Sequence, residues 1–182
     1  MLLATKRLIL RPIKLDDVTA IQKYAEKPNV VRFMEWGPNT IEQTKSFINL
    51  VVQKNKETPR LSFDFLATRK KTKEVIGACG IYFKDEKEPP TLGWVFDDTY
   101  WNEGYGTEVA ARLLAFGFLT LNVPVIHAEA IYDNKASWKI MEKLGMRQVD
   151  TYKKSVKNKE YVFVMYELTK LEYTLLNHKT YL

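Results

Sequence analysis

Residues 92–131 constrain the fold of this 182-residue chain more than any other part of it. Their pattern predicts a short apolar strand at Thr91–Phe96, a loop, a long helix ending near Leu121, and a second apolar strand at Val125–Ile131. Two strands joined by a crossover helix must run parallel, and the crossover is right-handed. Ligands bind at the carboxyl ends of such strands, so the loop at residues 97–105 is the first place to look for a site.

The elements before this unit are predicted to be a strand, two helices and a hairpin. Residues 7–13 alternate charged and apolar side chains, and a helix follows whose apolar stripe begins at Leu15. A capping-box pattern at Thr40 opens the second helix. Apolar residues then alternate with polar neighbours at 63–67, a basic turn follows, and residues 74–83 form the return strand.

The elements after it are predicted to be a helix, two strands and a helical tail. The helix spans residues 134–144 and ends at Gly145, which is a suitable C-cap. Strands are expected at 147–155 and 161–168, and a helix is the expectation for the tail at 169–182. A single domain covering residues 1–182 accommodates all of these elements, with its core at about 6–168.

Composition excludes several classes of protein. Hydrophobic residues make up 46% of the chain, so it can bury a core. The 28 Lys and Arg residues exceed the 22 acids but are scattered, so nucleic-acid binding is allowed and not indicated. The lone Cys79 argues for a reducing compartment, and His127 and His178 lie far apart without cysteine partners, so no metal site is expected. With no long apolar segment and no signal peptide, we expect a soluble cytoplasmic protein.

The loop before the long helix carries the first chemical pattern, Trp101-Asn102-Glu103-Gly104-Tyr105-Gly106-Thr107-Glu108. Glycines at a helix start bring backbone amides close to a ligand, and the helix end adds partial positive charge, so a phosphate cradle is predicted. Glu103 and Glu108 are negative and the loop has no Lys or Arg, so both carboxylates must turn away from such a ligand. A purely structural turn remains the alternative.

A second pattern follows the next strand. It runs Asp133-Asn134-Lys135-Ala136-Ser137, and Lys143-Leu144-Gly145 closes the helix behind it. Together with the glycine loop and the opening Arg7-Leu8-Ile9-Leu10-Arg11-Pro12, this resembles the GNAT acetyltransferases. The resemblance covers roughly residues 6–168 and is greatest for the branch of ribosomal-protein N-terminal acetyltransferases, the RimJ and RimL type.

The resemblance implies an α+β fold with a mostly antiparallel mixed sheet, in which the central parallel strands splay apart and helices flank the sheet. It also implies acetyl-CoA as co-substrate and no metal. The pyrophosphate would lie on the loop amides, the pantetheine arm along the strand before the loop, and the thiol near the next helix. The residues implied in cofactor binding are Trp94, Val95, Phe96, Asn102, Gly104, Tyr105, Gly106, Thr107, Asn134 and Ser137.

The catalytic groups are less complete than the cofactor groups. Many GNAT enzymes outside this branch have a tyrosine general acid where Met141 stands, so Ser137 or a water must assist the thiolate. Many relatives in the branch have a glutamate where Thr91 stands. Glu129 is the first candidate for the base, although a solvent-facing strand residue is an equal interpretation. His127 shares its strand face and is the weaker candidate.

The predicted activity is acetyl transfer to a primary amine by direct attack, with a strand amide near Val95 or Phe96 stabilising the carbonyl oxygen. Without a strong base, an α-amine of pKa near 8 is the easier acceptor, and a ribosomal-protein or peptide N-terminus is the first expectation. A polyamine or aminoglycoside acceptor, or a non-catalytic acyl-CoA or RNA binding module, remains the alternative. We expect a monomer or homodimer with no membrane or specific nucleic-acid partner.

Overall fold

The computed structural model describes residues 1–178, which form one mixed β-sheet covered by helices on both faces. The strands are β1 (Leu3–Ala4), β2 (Leu8–Pro12), β3 (Ser62–Arg69), β4 (Val75–Tyr82), β5 (Thr91–Phe96), β6 (Val125–Ile131), β7 (Arg147–Val156) and β8 (Lys159–Thr169). The helices are α1 (Val18–Ala25), α2 (Ile41–Lys54), α3 (Tyr105–Leu119), α4 (Lys135–Lys143) and α5 (Lys170–His178), with 3-10 turns at Leu15–Asp17 and Asp98–Tyr100.

The order of the strands is β1-β2-β3-β4-β5-β6-β8-β7. The only parallel neighbours in the described sheet are β5 and β6, which the crossover helix α3 joins; every other pair is antiparallel. The predicted mixed, mostly antiparallel sheet with a central parallel unit is therefore confirmed. Both strands of that unit have the predicted bounds.

The two faces of the sheet bury different sets of side chains. One face packs against α3 and contributes Phe65 and Ile81 to the larger core, while the other packs against α1 and α2 around Leu66. Period-2 alternation along β3 explains this division, because Phe65 and its neighbour Leu66 must point to opposite faces. Because helices cover both faces of the sheet, a polar side chain on either face can be buried.

The first helix differs from its expected form. The chain begins it as a 3-10 turn at Leu15–Asp17, and Leu15 is 59% exposed, so its place in the apolar stripe was wrong. The C-cap of α4 is Leu144 rather than the predicted Gly145, which follows it in the left-handed conformation that ends the helix, with φ of 80°. The helical tail is confirmed for residues 170–178, and the remainder of that prediction, 179–182, lies outside the described residues. In the described part, no helix is long and apolar enough to cross a membrane.

Candidate active site

The parallel strands β5 and β6 separate after two paired residues and leave a gap between them. Thr91 pairs with His127 and Leu92 with Ala128, and the pairing then stops although both strands continue. Residues 93–96 of β5 and 129–131 of β6 therefore border an open gap at the carboxyl ends of the two strands. This is the splay that the sequence resemblance implied.

The backbone groups of β5 that face this gap are those of Trp94 and Phe96. The Asp97 amide donates to a carbonyl of β4 at 2.9 Å, and successive strand residues direct their amides to opposite sides. The even-numbered residues of β5 are thus turned away from β4 and toward β6. Trp101 Nε1 donates to the Phe96 carbonyl at 2.9 Å, which agrees with that orientation. Of the two amides named as carbonyl-stabilising candidates, that of Phe96 faces the gap and that of Val95 faces β4.

The glycine loop leads from the gap into α3. Asn102 and Gly104 both adopt left-handed conformations, with φ of 63° and 77°, and Gly104 is the N-cap of the helix. The first intrahelical bond joins the Glu108 amide to the Gly104 carbonyl at 3.1 Å, so the amides of residues 105–107, including Thr107, have no partner within the helix. Such a helix end favours an anion, and the loop has the geometry of a phosphate cradle.

An arginine distant in sequence lies beside this loop. Arg7 donates through Nη1 to the Glu103 carbonyl at 2.9 Å and through Nε to Glu108 at 2.6 Å, and its guanidinium lies 4.0 Å from the centre of the Tyr105 ring. Glu108 also accepts hydrogen bonds from the Thr5 hydroxyl and the Arg7 amide. Burial acts to raise the pKa of Glu108, but these hydrogen bonds outweigh it and hold that pKa below its ordinary value. The Glu108 carboxylate is therefore turned away from the loop amides, as predicted.

The two loop glycines serve different purposes. Gly104 needs its left-handed conformation, and a Cβ there would meet only Arg7 Nη2 at 3.7 Å. A Cβ on Gly106 would lie 2.7 Å from Cδ1 of Ile140 in α4, so this glycine makes room for a neighbouring helix. Tyr105 itself is buried, which leaves only its amide for a ligand. Each glycine thus has a structural reason of its own, and the prediction that both bring the backbone close to a ligand stays a prediction.

Helix α4 begins immediately beyond the gap end of β6 and carries the next two predicted residues. Asn134 is its N-cap, and the Ser137 amide donates to the Asn134 carbonyl at 3.0 Å. The Asn134 side chain does not cap the helix, and both side chains are half-buried. Met141, one turn after Ser137, is buried in the core, so α4 offers no hydroxyl at that position. The loop, β5 and the start of α4 thus border the same gap.

On the other side of β5, a cavity of about 740 Å³ lies between the sheet and helices α1 and α2. We call it the α1–α2 cavity. The residues that line it are Ile21, Tyr24, Ala25, Met34, Glu35, Trp36, Gly37, Asn39, Gln43, Phe47, Asp64, Ala78, Cys79, Tyr82, Gly93, Trp94, Val95 and Lys157. Because Trp94 and Val95 border both the cavity and the gap region of β5, the two spaces meet at that strand.

Asp64 is the buried carboxylate of this cavity, with 6% of its surface exposed. Burial raises the pKa of Asp64 above its ordinary value, although a hydrogen bond from Tyr82 acts to lower it. The Tyr82 ring lies flat on the sheet, because a Cβ on Gly93 would be 3.1 Å from its Cε2 and a Cβ on Gly80 2.5 Å from its hydroxyl. Sequence reasoning missed Asp64, because it stands in the sequence as one of the polar neighbours in an alternating strand.

Glu129 borders the gap on β6, but its carboxylate already has a partner. The Tyr152 hydroxyl of β7 donates a hydrogen bond to Glu129 Oε2. Burial is the main reason that the pKa of Tyr152 rises, and the hydrogen bond to Glu129 adds to it. Glu129 is therefore neither a freely solvated strand residue nor one of the residues that line the α1–α2 cavity.

The weaker catalytic candidates lie elsewhere. His127 is beside the paired end of β5, and its Nε2 is 3.0 Å from Glu167, which also binds Arg147. Cys79 is buried, and burial raises the pKa of its thiol far above the ordinary value, so it is no nucleophile. Within residues 1–178 no group of three or more His, Cys, Asp or Glu side chains is arranged to hold a metal ion.

Comparison with known proteins gives the family. The family model of the acetyltransferase (GNAT) domain matches residues 7–147. The chain is 31% identical over 154 residues to the uncharacterized N-acetyltransferase YnaD of Bacillus subtilis (strain 168), which covers 85% of this chain and 87% of that protein.

Solved structures agree with this family match. A GNAT-family acetyltransferase from Bacillus anthracis has a TM-score of 0.82 at 26% identity, covering 94% of this chain and 100% of that one. RimL, a ribosomal L7/L12 α-N-protein acetyltransferase solved with coenzyme A, has a TM-score of 0.83 at 13% identity, covering 93% of this chain and 98% of that one. At that identity the likeness to RimL shows the fold alone. The family match extends over most of the length of this chain. GNAT acetyltransferases use acetyl-CoA. The chain belongs to the GNAT family and is an acetyltransferase.

Proposed function

We propose that this acetyltransferase moves the acetyl group of acetyl-CoA to a primary amine, with the α-amine of a peptide or protein as its preferred acceptor. The observation that supports this most directly is the meeting of two spaces at β5. The gap with its helix-end amides is on one side of that strand, and the α1–α2 cavity is on the other. A donor and an acceptor that enter from opposite sides would meet there.

The donor side suits a nucleotide-linked thioester. The amides at the start of α3 would receive the pyrophosphate, with Asn102 and Gly104 shaping the turn that presents them. The gap-facing backbone of Trp94 and Phe96 would hold the pantetheine arm as a neighbouring strand would, and the Asn134 amide would add a hydrogen bond. Acetyl-CoA, when bound, supplies an activated acyl group.

The protein's own groups then act on the reaction. The acceptor nitrogen attacks the thioester carbonyl, and the Phe96 amide stabilises the charge that develops on the carbonyl oxygen. Ser137 donates a hydrogen bond to the departing sulfur from the first turn of α4, where the helix end also favours negative charge. No step needs a covalent acyl-enzyme, which agrees with the inert, buried Cys79.

The acceptor side argues against a polycation. The acids that line the α1–α2 cavity are Glu35 and Asp64, and Glu35 already pairs with Lys154. A polyamine or aminoglycoside carries several ammonium groups, whereas this lining is largely apolar and includes the cation of Lys157. One carboxylate and an apolar wall fit a single amine next to an apolar group, as at the start of a peptide.

A panel of acceptors tests this proposal. We expect peptides with a free α-amine to release thiol from acetyl-CoA faster than the same peptides with a blocked N-terminus and an internal lysine. At pH 7 a lysine of pKa 10.4 costs roughly 4.6 kcal/mol to deprotonate, and an α-amine of pKa near 8 costs about 1.4 kcal/mol. A clear preference for lysine side chains or polyamines at neutral pH would contradict the proposal.

A further inference from the structure

We propose that Asp64 is the carboxylate that receives the acceptor: it pairs with the ammonium group inside the α1–α2 cavity and accepts its first proton. The inference deepens the proposed function and depends on it only in that the acceptor is an amine. It places the general base on β3, where the sequence patterns predicted a strand but no catalytic residue. Glu129, the earlier candidate, is instead hydrogen-bonded to Tyr152.

The sheet register brings Asp64 to the reaction side of β5. Asp64 pairs with Gly80 of β4, and Gly80 pairs with Gly93 of β5, so the three residues form one row across the sheet. Two strand spacings separate Asp64 from Gly93, about 10 Å between Cα atoms. After the length of the Asp64 side chain is subtracted, the remaining distance accommodates two contacts. One is a hydrogen bond of about 3 Å from the carboxylate to an amine nitrogen, and the other is an attack distance of about 3 Å from that nitrogen to the thioester carbon. An amine nitrogen that contacts Asp64 from the cavity side of the Tyr82 ring would therefore lie within reach of the gap.

The two glycines of this row make room for the Tyr82 ring, which lies over both of them. Side chains at Gly80 and Gly93 would fill the floor of the cavity, and their absence lets the Tyr82 ring lie flat there with its hydroxyl beside Asp64. The Tyr82 hydroxyl can donate to only one oxygen of a carboxylate. A carboxylate has a second oxygen and further lone pairs, so Asp64 retains the capacity to accept from an ammonium group.

Asp64 has no ion-pair partner among the described residues. Asp17 and Glu108, in contrast, each form an ion pair with an arginine. An unpaired buried carboxylate is costly, and such a group is retained where a ligand supplies the missing charge.

The titratable groups around Asp64 come from several elements. Hydroxyl and thiol groups of α1 and β4 line the same cavity, and cations act on Asp64 from α2 and from the loop before β3 without forming an ion pair with it. These groups are Tyr24, Lys54, Arg60, Cys79 and Tyr82. The net effect of this environment is a raised pKa for Asp64, with burial as the main cause, and a more basic carboxylate is a better proton acceptor.

The proposed step conserves atoms and charge. One N–H bond of the ammonium breaks and its proton moves to a carboxylate oxygen of Asp64. The lone pair that this releases forms the C–N bond to the acetyl carbon. The C–S bond then breaks, its electron pair leaves with sulfur, and the second proton of the amine moves to that sulfur with Ser137 in contact. The proton on Asp64 is later lost to solvent, so the products are the acetylated amine, the free thiol and one proton.

Asp64→Asn is the direct test, assayed with whichever amine of the panel the wild-type enzyme acetylates best. We expect kcat/KM at pH 7 to fall roughly 10²- to 10⁴-fold, the usual range for a general base. The affinity for acetyl-CoA, measured by calorimetry, should be unchanged because the donor groups lie on the other side of β5. The matched control is Thr68→Val, which removes another buried polar group of β3 that lies outside the cavity lining. A folded Asp64→Asn variant with kcat/KM within threefold of wild type would overturn the proposal.

Tyr82→Phe gives a second, independent test that keeps the carboxylate. The Tyr82 hydrogen bond lowers the pKa of Asp64, so its removal should raise that pKa. If Asp64 must be ionised for catalysis, the acid limb of the kcat/KM profile should move to higher pH in Tyr82→Phe. An acid limb that stays in place would mean that another group accepts the proton. If the wild-type enzyme acetylates no amine at all, the proposed function itself fails, which is a different outcome.

Discussion

The Ser137 hydroxyl lies in the first turn of α4, where the backbone amides already favour a negatively charged sulfur. Met141, one turn further along, is buried and carries no proton to donate. We therefore expect Ser137→Ala to lower kcat more than it raises KM, by roughly 10²-fold or less if a water substitutes. Steady-state thiol release at saturating acetyl-CoA measures both constants.

Ser137→Thr is the matched control for that experiment, because it keeps a hydroxyl at the same atom and should retain most of the rate. An unchanged kcat in Ser137→Ala would remove this residue from the mechanism and leave it as an ordinary residue of a helix start.

Asp64 shows why a single residue can escape sequence reasoning. In β3 it stands between Phe63 and Phe65, and an alternating pattern of this kind normally puts the polar face in solvent. Here helices cover both faces, so the polar face becomes the floor of a cavity. Nothing within the strand itself distinguishes these two situations. The distinction comes from α1 and α2, whose packing is a long-range property of the fold.

The start of α3 depends on two glycines for different physical reasons, which gives a prediction with two parts. Gly104→Ala places a side chain in a left-handed conformation at a cost of about 1–2 kcal/mol without a clash, so it should reduce acetyl-CoA affinity with little further loss of stability. Gly106→Val drives a side chain into Ile140, so it should displace α4 and lower both the affinity and the melting temperature. Calorimetry and thermal melting measure the two effects.

Lys139→Ala, which changes an exposed residue of α4, is the control and should alter neither quantity. Unchanged acetyl-CoA affinity in Gly106→Val would contradict the assignment of this loop as the phosphate cradle. A large loss of affinity without any loss of stability would instead show that Gly106 contacts the ligand directly.

Elements were predictable where local pattern and long-range packing agree. The strands of the parallel unit have the predicted bounds because their apolar residues are buried or half-buried along the whole of each strand. The start of α1 was not predictable, because Asp17 is bound by the Arg11 side chain and the Lys14 amide, which favours a tight 3-10 turn there. The donation from Arg7 to the glycine loop was equally hidden, since about a hundred positions separate Arg7 from Glu108 in sequence.

The proposed donor and acceptor sides of the molecule are built from different parts of the chain. The loop, α3 and α4 of the donor side follow β5 in sequence, and α1, α2 and β3 of the acceptor side precede it. The motifs that carried the family resemblance lie chiefly on the donor side, where a fixed ligand demands fixed backbone geometry. The proposed acceptor side carries no motif, which is why the sequence patterns predicted the cofactor and named no residue of that side.

The response of the whole molecule to acid follows from how these carboxylates are held. Burial acts to raise the pKa of Asp17, but hydrogen bonds from Arg11, at 2.6 and 2.8 Å, and from the Lys14 amide outweigh it and lower that pKa. A carboxylate with a lowered pKa in the folded state stabilises the protein above the unfolded value of about 3.9, and this contribution disappears as pH falls through the folded pKa. We therefore expect the urea midpoint to decline steeply below about pH 4.

Asp17→Asn should lower stability at pH 7 by about 2 kcal/mol, the typical worth of charged hydrogen bonds, and the difference from wild type should vanish in acid. Asp64→Asn is the opposite control. The pKa of Asp64 is raised in the folded state, so its contribution is favourable below the unfolded pKa and is lost as pH rises through the folded one. That variant should therefore equal or exceed wild type in stability at pH 7. Urea titrations at pH 3 to 7 measure both trends, and a loss of stability at neutral pH in Asp64→Asn would mean that the carboxylate supports the fold rather than the acceptor.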